Sequence, residues 1–245
     1  VGNLNATPAI VRSAVMYVLR VLIGEALPLN EGLLEAVTIT IPRGSLLDPV
    51  FPDDPRKAPA VVGGNVETSQ RIVNALLRAF GVMADGQGTM NNVVFGNDRF
   101  GYYETIGGGC GAGPRFDGAS GVHSHMTNTR ITDVEVLEHR YPVRLDRFAI
   151  RRGSGGVGAQ RGGDGIIRAM TMLTPVSLSV LSQHRTAGPA GMRNGGAGAA
   201  GRQWIDRADG TREELASLAS AELNAGDRFT IETPGGGGWG EATSE

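Results

Sequence analysis

Apolar residues recur at helical spacing near the start of the chain. Ile10, Val11, Ala14, Val15, Val18, Leu19 and Leu22 fall on one stripe behind Thr7-Pro8. A capping hydroxyl followed by proline at the first helical position starts a helix, so the pattern predicts one over Pro8–Ile23. Pro28 ends it, and Asn30-Glu31-Gly32 reads as a turn. Ala36–Ile41 (AVTITI) alternates β-branched residues and predicts a strand. Residues 42–64 hold several prolines and carry no helix or strand signal, so they read as an extended loop. A second helix is predicted over Thr68–Phe80, with Ile72, Ala75, Leu76, Ala79 and Phe80 as its apolar stripe and Gly81 as its cap.

From Asn91 onward the period changes from helical to alternating. Candidate strands are Asn92–Phe95, Tyr102–Ile106, Tyr141–Ala149, Gly165–Met172, Val176–Ser182, Arg202–Ile205 and Arg228–Thr233, separated by Gly, Asp and Asn. Arg212–Leu223 reads as a short helix or a polar excursion. The expected class is α+β: helices in the N-terminal part and a β-rich, glycine-heavy C-terminal half. A soft boundary near residue 91 divides a mixed α/β stretch, 1–90, from a β-rich one, 91–245.

Charge and composition narrow the chemistry. The formal net charge is −2, so no basic face advertises nucleic-acid binding. Lys57 is the only lysine and is followed by Ala58, so the Gly-Lys-Ser/Thr of a phosphate loop is missing. If ATP is used, another chain or another segment binds it. Cys110 is the only cysteine; it forms no intrachain disulfide and fits a reducing, cytoplasmic setting. No apolar run approaches the ~20 residues that span a bilayer, and the first residues lack a signal-peptide pattern. The sequence starts at Val1, which points to processing or to a piece of a longer protein.

Three windows match G-x-G-x-x-G: Gly153–Gly158, Gly196–Gly201 and Gly235–Gly240. None is followed by the helix that a dinucleotide site requires, so these glycines are expected in turns and bulges between strands. SGGVGAQRGGDG, flanked by Arg151, Arg152 and Arg161, allows a backbone nest and guanidinium forks for a carboxylate or phosphate; a solvated arginine surface is the alternative. Gly118-Ala119-Ser120-Gly121 misses the serine nucleophile elbow by one position.

The densest chemistry lies in Gly107–Arg130, GGGCGAGPRFDGASGVHSHMTNTR. His123 and His125 would share a face on a strand, a recurrent metal-ligand spacing. Asp117, Asp133, Glu135 and Glu138 are the nearby carboxylates, with Glu135 the first choice as a further ligand. Acid–base work by the same imidazoles is equally open, as is a plain pair of hydrogen-bonded histidines at a turn. Asn128 lies between two threonines and reads as an oxyanion donor or as turn chemistry.

These segments, followed by ITDVEVLEHRYP, RRGSGGVGAQRGGDGIIR and AGDRFTIETPGGGGWG and preceded by GNLNATPAI and TITIPRGSLLDPVFP, resemble the hydantoinase B/oxoprolinase family over almost the whole chain. QHRTAGPAGMRNGGAGAAG matches the family's Pro- and Gly-rich loop only loosely. The resemblance implies part of an ATP-dependent hydrolase that opens cyclic amides such as 5-oxoproline or N-methylhydantoin. It also implies an A-type partner subunit that binds ATP and phosphorylates the substrate, and a hetero-oligomer. Relatives include large subunits of ketone carboxylases, so carboxylation and a purely scaffolding role are the rival expectations.

The resemblance implies that this chain is the C-terminal portion of a B-type subunit. The divalent metal expected of the complete enzyme (Mg, Mn or Zn) would take its main ligands from the missing N-terminal portion. Within this chain the resemblance and the residue chemistry together nominate His123, His125, Asn128 and Asp117 as catalytic. They nominate Arg152, Arg161, Gly109 and Gly111 for substrate binding.

Overall fold

The computed structural model describes residues 2–242. The chain forms two compact units, Val1–Gly81 with His125–Thr127, and Val82–Ser124 with Asn128–Glu245.

The first unit is helical. Helix α1 spans Pro8–Ile23, as the spacing predicts, with Pro8 in its first turn. Gly24 closes it in the left-handed conformation (φ 70°), where a side chain would be strained. Val11, Ala14 and Val18 are its buried contacts. Helix α2, Ser69–Ala79, follows directly from a π-helical turn, Gly64–Thr68. Such turns are uncommon and often mark functional sites.

The α2 face differs from the expected stripe. Ser69, Gln70, Val73, Asn74 and Leu77 are buried, whereas Phe80 is 55% exposed. Polar Gln70 and Asn74 therefore occupy positions that a hydrophobic count assigns to the surface. Ala36–Ile41 is not a strand: no pairing partner reaches it among the described residues, and a lone β-branched run cannot form a ladder. The long loop carries a single 3₁₀ turn, Pro55–Lys57.

The second unit holds two antiparallel sheets. One is ordered β2-β1-β5-β8 and built from β1 Asn92–Gly96, β2 Gly101–Glu104, β5 Val176–Leu181 and β8 Leu218–Leu223. The other is ordered β3-β4-β9-β6-β7 and built from β3 Val143–Arg151, β4 Gly165–Met172, β6 Arg202–Asp206, β7 Arg212–Glu214 and β9 Arg228–Glu232. Helix α3, Val134–Arg140, is capped by Asp133, whose carboxylate accepts from the Glu135 and Val136 amides. Arg212–Leu223, expected as a helix or excursion, instead supplies β7 and β8, one to each sheet. Phe95 and Leu178 from one sheet join Met170, Phe229 and Ile231 from the other, with Leu137 of α3, in one buried cluster.

The core also contains a charge pair. Arg168 on β4 and Glu104 on β2 are 2.8 Å apart and almost wholly buried. Tyr102 donates to the same carboxylate at 2.9 Å, and burial pushes its phenol up to about 12. Phe148 stacks over the Arg168 guanidinium at 5.1 Å.

The expected turns occur at Gly153, which follows β3 with φ 79°, and at Gly240 with φ 72°, but turns are not the main role of the glycines. Most of those in the three G-x-G-x-x-G windows lie in extended segments that hydrogen-bond to one another backbone to backbone. Gly109 N–H donates to Pro234 O (3.0 Å), Gly236 N–H to Gly163 O (2.8 Å), Gly163 N–H to Cys110 O (2.9 Å), and Gly238 N–H to Gly196 O (2.9 Å). These segments belong to no helix or named strand and pair only through isolated bridges, among them Gln160 with Trp239 and Met192 with Trp239. They approach so closely that side chains have no room: a Cβ on Gly236 would lie 1.8 Å from Cys110 O. The physical logic is that of collagen's crowded axis.

Candidate functional site

The glycine bundle fixes the loop that carries the chemistry. Gly118 N–H donates to Arg161 O (2.7 Å) and Gly121 N–H to Asp164 O (2.8 Å). Asp117 accepts the Arg161 amide at 2.7 Å, and Ser120 Oγ accepts the Asp164 amide at 2.8 Å. Asp164 in turn accepts the Gly155 amide at 2.7 Å. These cross-links tie residues 117–121 to residues 155–164 and leave an open basin of about 390 Å³. Asp117, Ser120, Arg152, Arg161 and Asp164 line it with glycine backbone.

Three of the residues singled out from sequence, Asp117, Arg152 and Arg161, thus share one wall. The two carboxylates are engaged by backbone amides. The Arg152 and Arg161 guanidinium groups make no ion pair or hydrogen bond among the described residues. A basin with two uncommitted guanidinium groups suits an oxyanion.

His123 lines a second cavity of the same unit, a cleft of about 380 Å³ with Phe148 and Ile166 at its floor and Thr129 and Arg130 at its rim. Its Nδ1 is 2.8 Å from Thr129 O. A carbonyl only accepts, so Nδ1 carries a proton, and in the neutral ring Nε2 is the acceptor.

His125 belongs to the helical unit. Its backbone is left-handed (φ 53°), which ends the two-residue alternation that would have put it on one face with His123. Non-glycine residues in this region are strained, and such strain concentrates at functional sites. Tyr17 of α1 meets its Nδ1 at 3.3 Å and its ring edge-on at 5.8 Å. Nε2 is buried without a partner among the described residues. Burial brings the imidazole down to about 4, so it is neutral at pH 7. Two residues on, Thr127 accepts from Gln70 Nε2 at 2.6 Å. That contact accounts for Gln70 on the buried face of α2.

The remaining candidates are dispersed. Gly109 and Gly111 lie inside the bundle, Gly109 donating its amide to Pro234 O. Asn128 is exposed. Glu135 sits on the first turn of α3 beside Val136, His139 and Arg140. Cys110 is largely buried within the bundle, and burial pushes its thiol up, away from the thiolate. Among the described residues no group of three or more His, Cys, Asp or Glu is arranged to hold a metal. His123, His125 and Glu135 are not grouped in that way among the described residues. No helix of the described residues is long and apolar enough to cross a membrane.

Sequence reasoning missed Tyr17, Gln70, Asp164 and Phe148. Tyr17 and Gln70 are polar residues on helix faces that close on unit-internal partners. Asp164 follows the RGG run and carried a signal that went unread.

An antiparallel two-sheet unit with a helical unit and a glycine bundle defines an architecture, and comparison with known proteins identifies it. Residues 1–242 match the hydantoinase B/oxoprolinase family, and the chain belongs to that family. It is 49% identical over 239 residues to 5-oxoprolinase 1 of Arabidopsis thaliana, covering 98% of this chain and 18% of that protein. The fold is shared with acetone carboxylase in its nucleotide-free structure (TM-score 0.76, 17% identity, 97% of this chain and 38% of that one). It is also shared with the ATP-dependent caprolactamase from Pseudomonas jessenii (TM-score 0.71, 22% identity, 92% and 42%). The chain thus spans less than half of each of these proteins.

Proposed function

We propose that this chain is part of an ATP-dependent hydrolase that opens cyclic amides of the hydantoin or 5-oxoproline type. The observation that carries the reading is the basin, where Arg152 and Arg161 stand uncommitted over a rigid glycine frame within a family whose similar members are named 5-oxoprolinases. In this reading an A-type partner binds ATP and transfers its terminal phosphoryl group to the ring amide. Hydrolysis then breaks the C–N bond, giving a carboxylate and an amine, and releases phosphate.

Both the substrate carboxylate and the phosphoryl group are oxyanions, and the paired guanidinium groups are suited to hold either one. Asp117, bonded to the Arg161 amide, positions the arginine loop. His123 and His125 are the acid–base candidates, and Asn128 is a donor for the developing oxyanion. In this reading the divalent metal expected of the complete enzyme would take its main ligands from the N-terminal portion of the subunit.

Identity to oxoprolinases at nearly half of all positions favours hydrolysis over ketone carboxylation. The test is turnover of 5-oxoproline and N-methylhydantoin by the complete complex, with and without ATP, alongside acetone and labelled bicarbonate. ATP-dependent ring opening is expected. Arg152→Ala and Arg161→Ala should each raise KM by about 10- to 100-fold, the worth of a lost charge-assisted hydrogen bond. Label fixed into an acid, with no ring opening, refutes the reading.

A further inference from the structure

The basin accounts for an anionic group but not for a ring, and the neighbouring cleft has the complementary chemistry. Residues 117–120 contribute to the basin and residues 121–123 to the cleft, so the two cavities flank one continuous run of chain. The floor, Phe148 and Ile166, is apolar. Phe148 is 44% exposed although it lies on a β-strand over a buried guanidinium. No acidic residue lines the cleft, so a cationic ligand has nothing to pair with.

Its polar equipment is small and defined. Thr129 is spent: its carbonyl takes the His123 Nδ1 proton, and its hydroxyl is bonded to Thr105 Oγ1 at 2.7 Å. Among the side chains that line the cleft, His123 Nε2 is then the acceptor, and the Arg130 guanidinium, which makes no ion pair among the described residues, is the donor. The His123 ring is held by its carbonyl bond, and the run that carries it is pinned to the bundle. Val122 and Gly108 exchange amide hydrogen bonds at 3.0 and 3.1 Å. The acceptor is therefore placed before any ligand arrives.

We propose that this cleft seats the ring of the cyclic amide, with His123 Nε2 accepting the ring N–H, Arg130 donating to the ring carbonyl oxygen, and the ring carbons against Phe148 and Ile166. This deepens the hydrolase reading and rests on it. The discrimination follows from peptide geometry. An open-chain secondary amide is trans, with N–H and C=O on opposite sides, and its cis form costs about 2.5–4 kcal/mol. A small ring enforces cis, with N–H and C=O on one edge. An acceptor and a donor side chain lining the same cleft can read that edge together; an open-chain trans amide satisfies only one of them.

The test uses the full-length subunit and two probes with the same number of heavy atoms, 2-pyrrolidone and N-ethylacetamide, with binding followed by ligand-observed saturation-transfer NMR. Pyrrolidone should bind at least about 10-fold more tightly. Phe148→Ala and His123→Leu should each abolish that preference, and His123→Gln, which keeps a donor and an acceptor, should retain part of it. Far-UV circular dichroism of each variant checks that it is folded, and Arg130→Ala, which removes the proposed donor while leaving Phe148 and Ile166 in place, should also weaken pyrrolidone binding. Equal binding of the two probes, or pyrrolidone binding unchanged in both Phe148→Ala and Arg130→Ala, overturns the proposal. Ring opening of 5-oxoproline by the complete complex is measured separately. Turnover with no ring preference in the cleft refutes the cleft alone, whereas ring binding without any turnover refutes the hydrolase reading and leaves the cleft standing.

Discussion

Replacing Gly236 by alanine tests the glycine bundle directly. The added Cβ would lie 1.8 Å from Cys110 O and 2.2 Å from Cys110 C, both backbone atoms. To reach an ordinary contact of about 3.4 Å the two segments must part by more than about 1.5 Å. That displacement pulls on bonds already at full strength: Gly163 N–H to Cys110 O at 2.9 Å, Gly236 N–H to Gly163 O at 2.8 Å and Ala112 N–H to Gly237 O at 2.9 Å. Stranding two buried backbone groups costs about 1–3 kcal/mol each, and overpacking adds about 1–3 kcal/mol. The expected loss is on the order of 5 kcal/mol, comparable with the whole stability of many domains. Gly101→Ala is the control: it lies on edge strand β2 with nothing within 4 Å of its Cβ, and its effect should stay within about 0.5 kcal/mol. Urea unfolding followed by tryptophan fluorescence reads both, because Trp239 is itself bonded into the bundle through Gln160. If the two variants unfold within about 1 kcal/mol of each other, the bundle is not the close-packed frame described above.

Two further substitutions probe the buried polar groups. His125 binds its proton less readily folded than unfolded, so its contribution to stability is full above about pH 6.5 and is lost as pH falls toward 4, by about 3 kcal/mol at most. His125→Asn, which tolerates the left-handed backbone, should flatten that part of the pH profile; urea midpoints between pH 7 and 4.5 that still fall as in the parent chain would contradict the assignment. Glu104→Ala strands the buried Arg168 charge and should cost about 3–5 kcal/mol, and a loss below about 1 kcal/mol in thermal melts would show that the guanidinium finds water or another partner.

How far the sequence alone reached depended on whether a feature was local. Helix α1 was readable because its capping hydroxyl, its proline and its 3.6-residue stripe lie within one segment. Strand β4 was readable at its observed bounds, Gly165–Met172, because a nearly all-buried strand is a short apolar run between glycines and a Leu-Thr-Pro turn. Ala36–Ile41 carries the same local signal and fails, since a strand exists only when a partner pairs with it. The candidate site divides along the same line. Asp117, Arg152 and Arg161 could be singled out as residue types, but only the bond from Arg161 N–H to Asp117, across 44 positions, makes them neighbours. The H-x-H spacing misled because it presumes an extended backbone, and the backbone at His125 is left-handed.

The glycines carry the most general lesson, because their signal was strong and its usual meaning held only at window ends such as Gly153 and Gly240. Glycine at turns is selected for backbone freedom and tends to sit singly, next to Asn, Asp or Pro. In this chain the windows beginning at Gly153, Gly196 and Gly235 hold three to five glycines within six residues. Gly236 has no positive φ, yet its Cβ position is filled by the Cys110 carbonyl. The selection at such positions is for the absence of volume, and it acts on segments that meet in pairs. A dinucleotide fingerprint, a turn and a packed glycine bundle can therefore share one string of letters. What separates them is whether several such strings occur in one chain, since a bundle needs partners and a turn does not. Three glycine windows, together with Gly107–Gly113, supply those partners, and their contacts place both the arginine basin and the His123 cleft on a frame with little freedom to move.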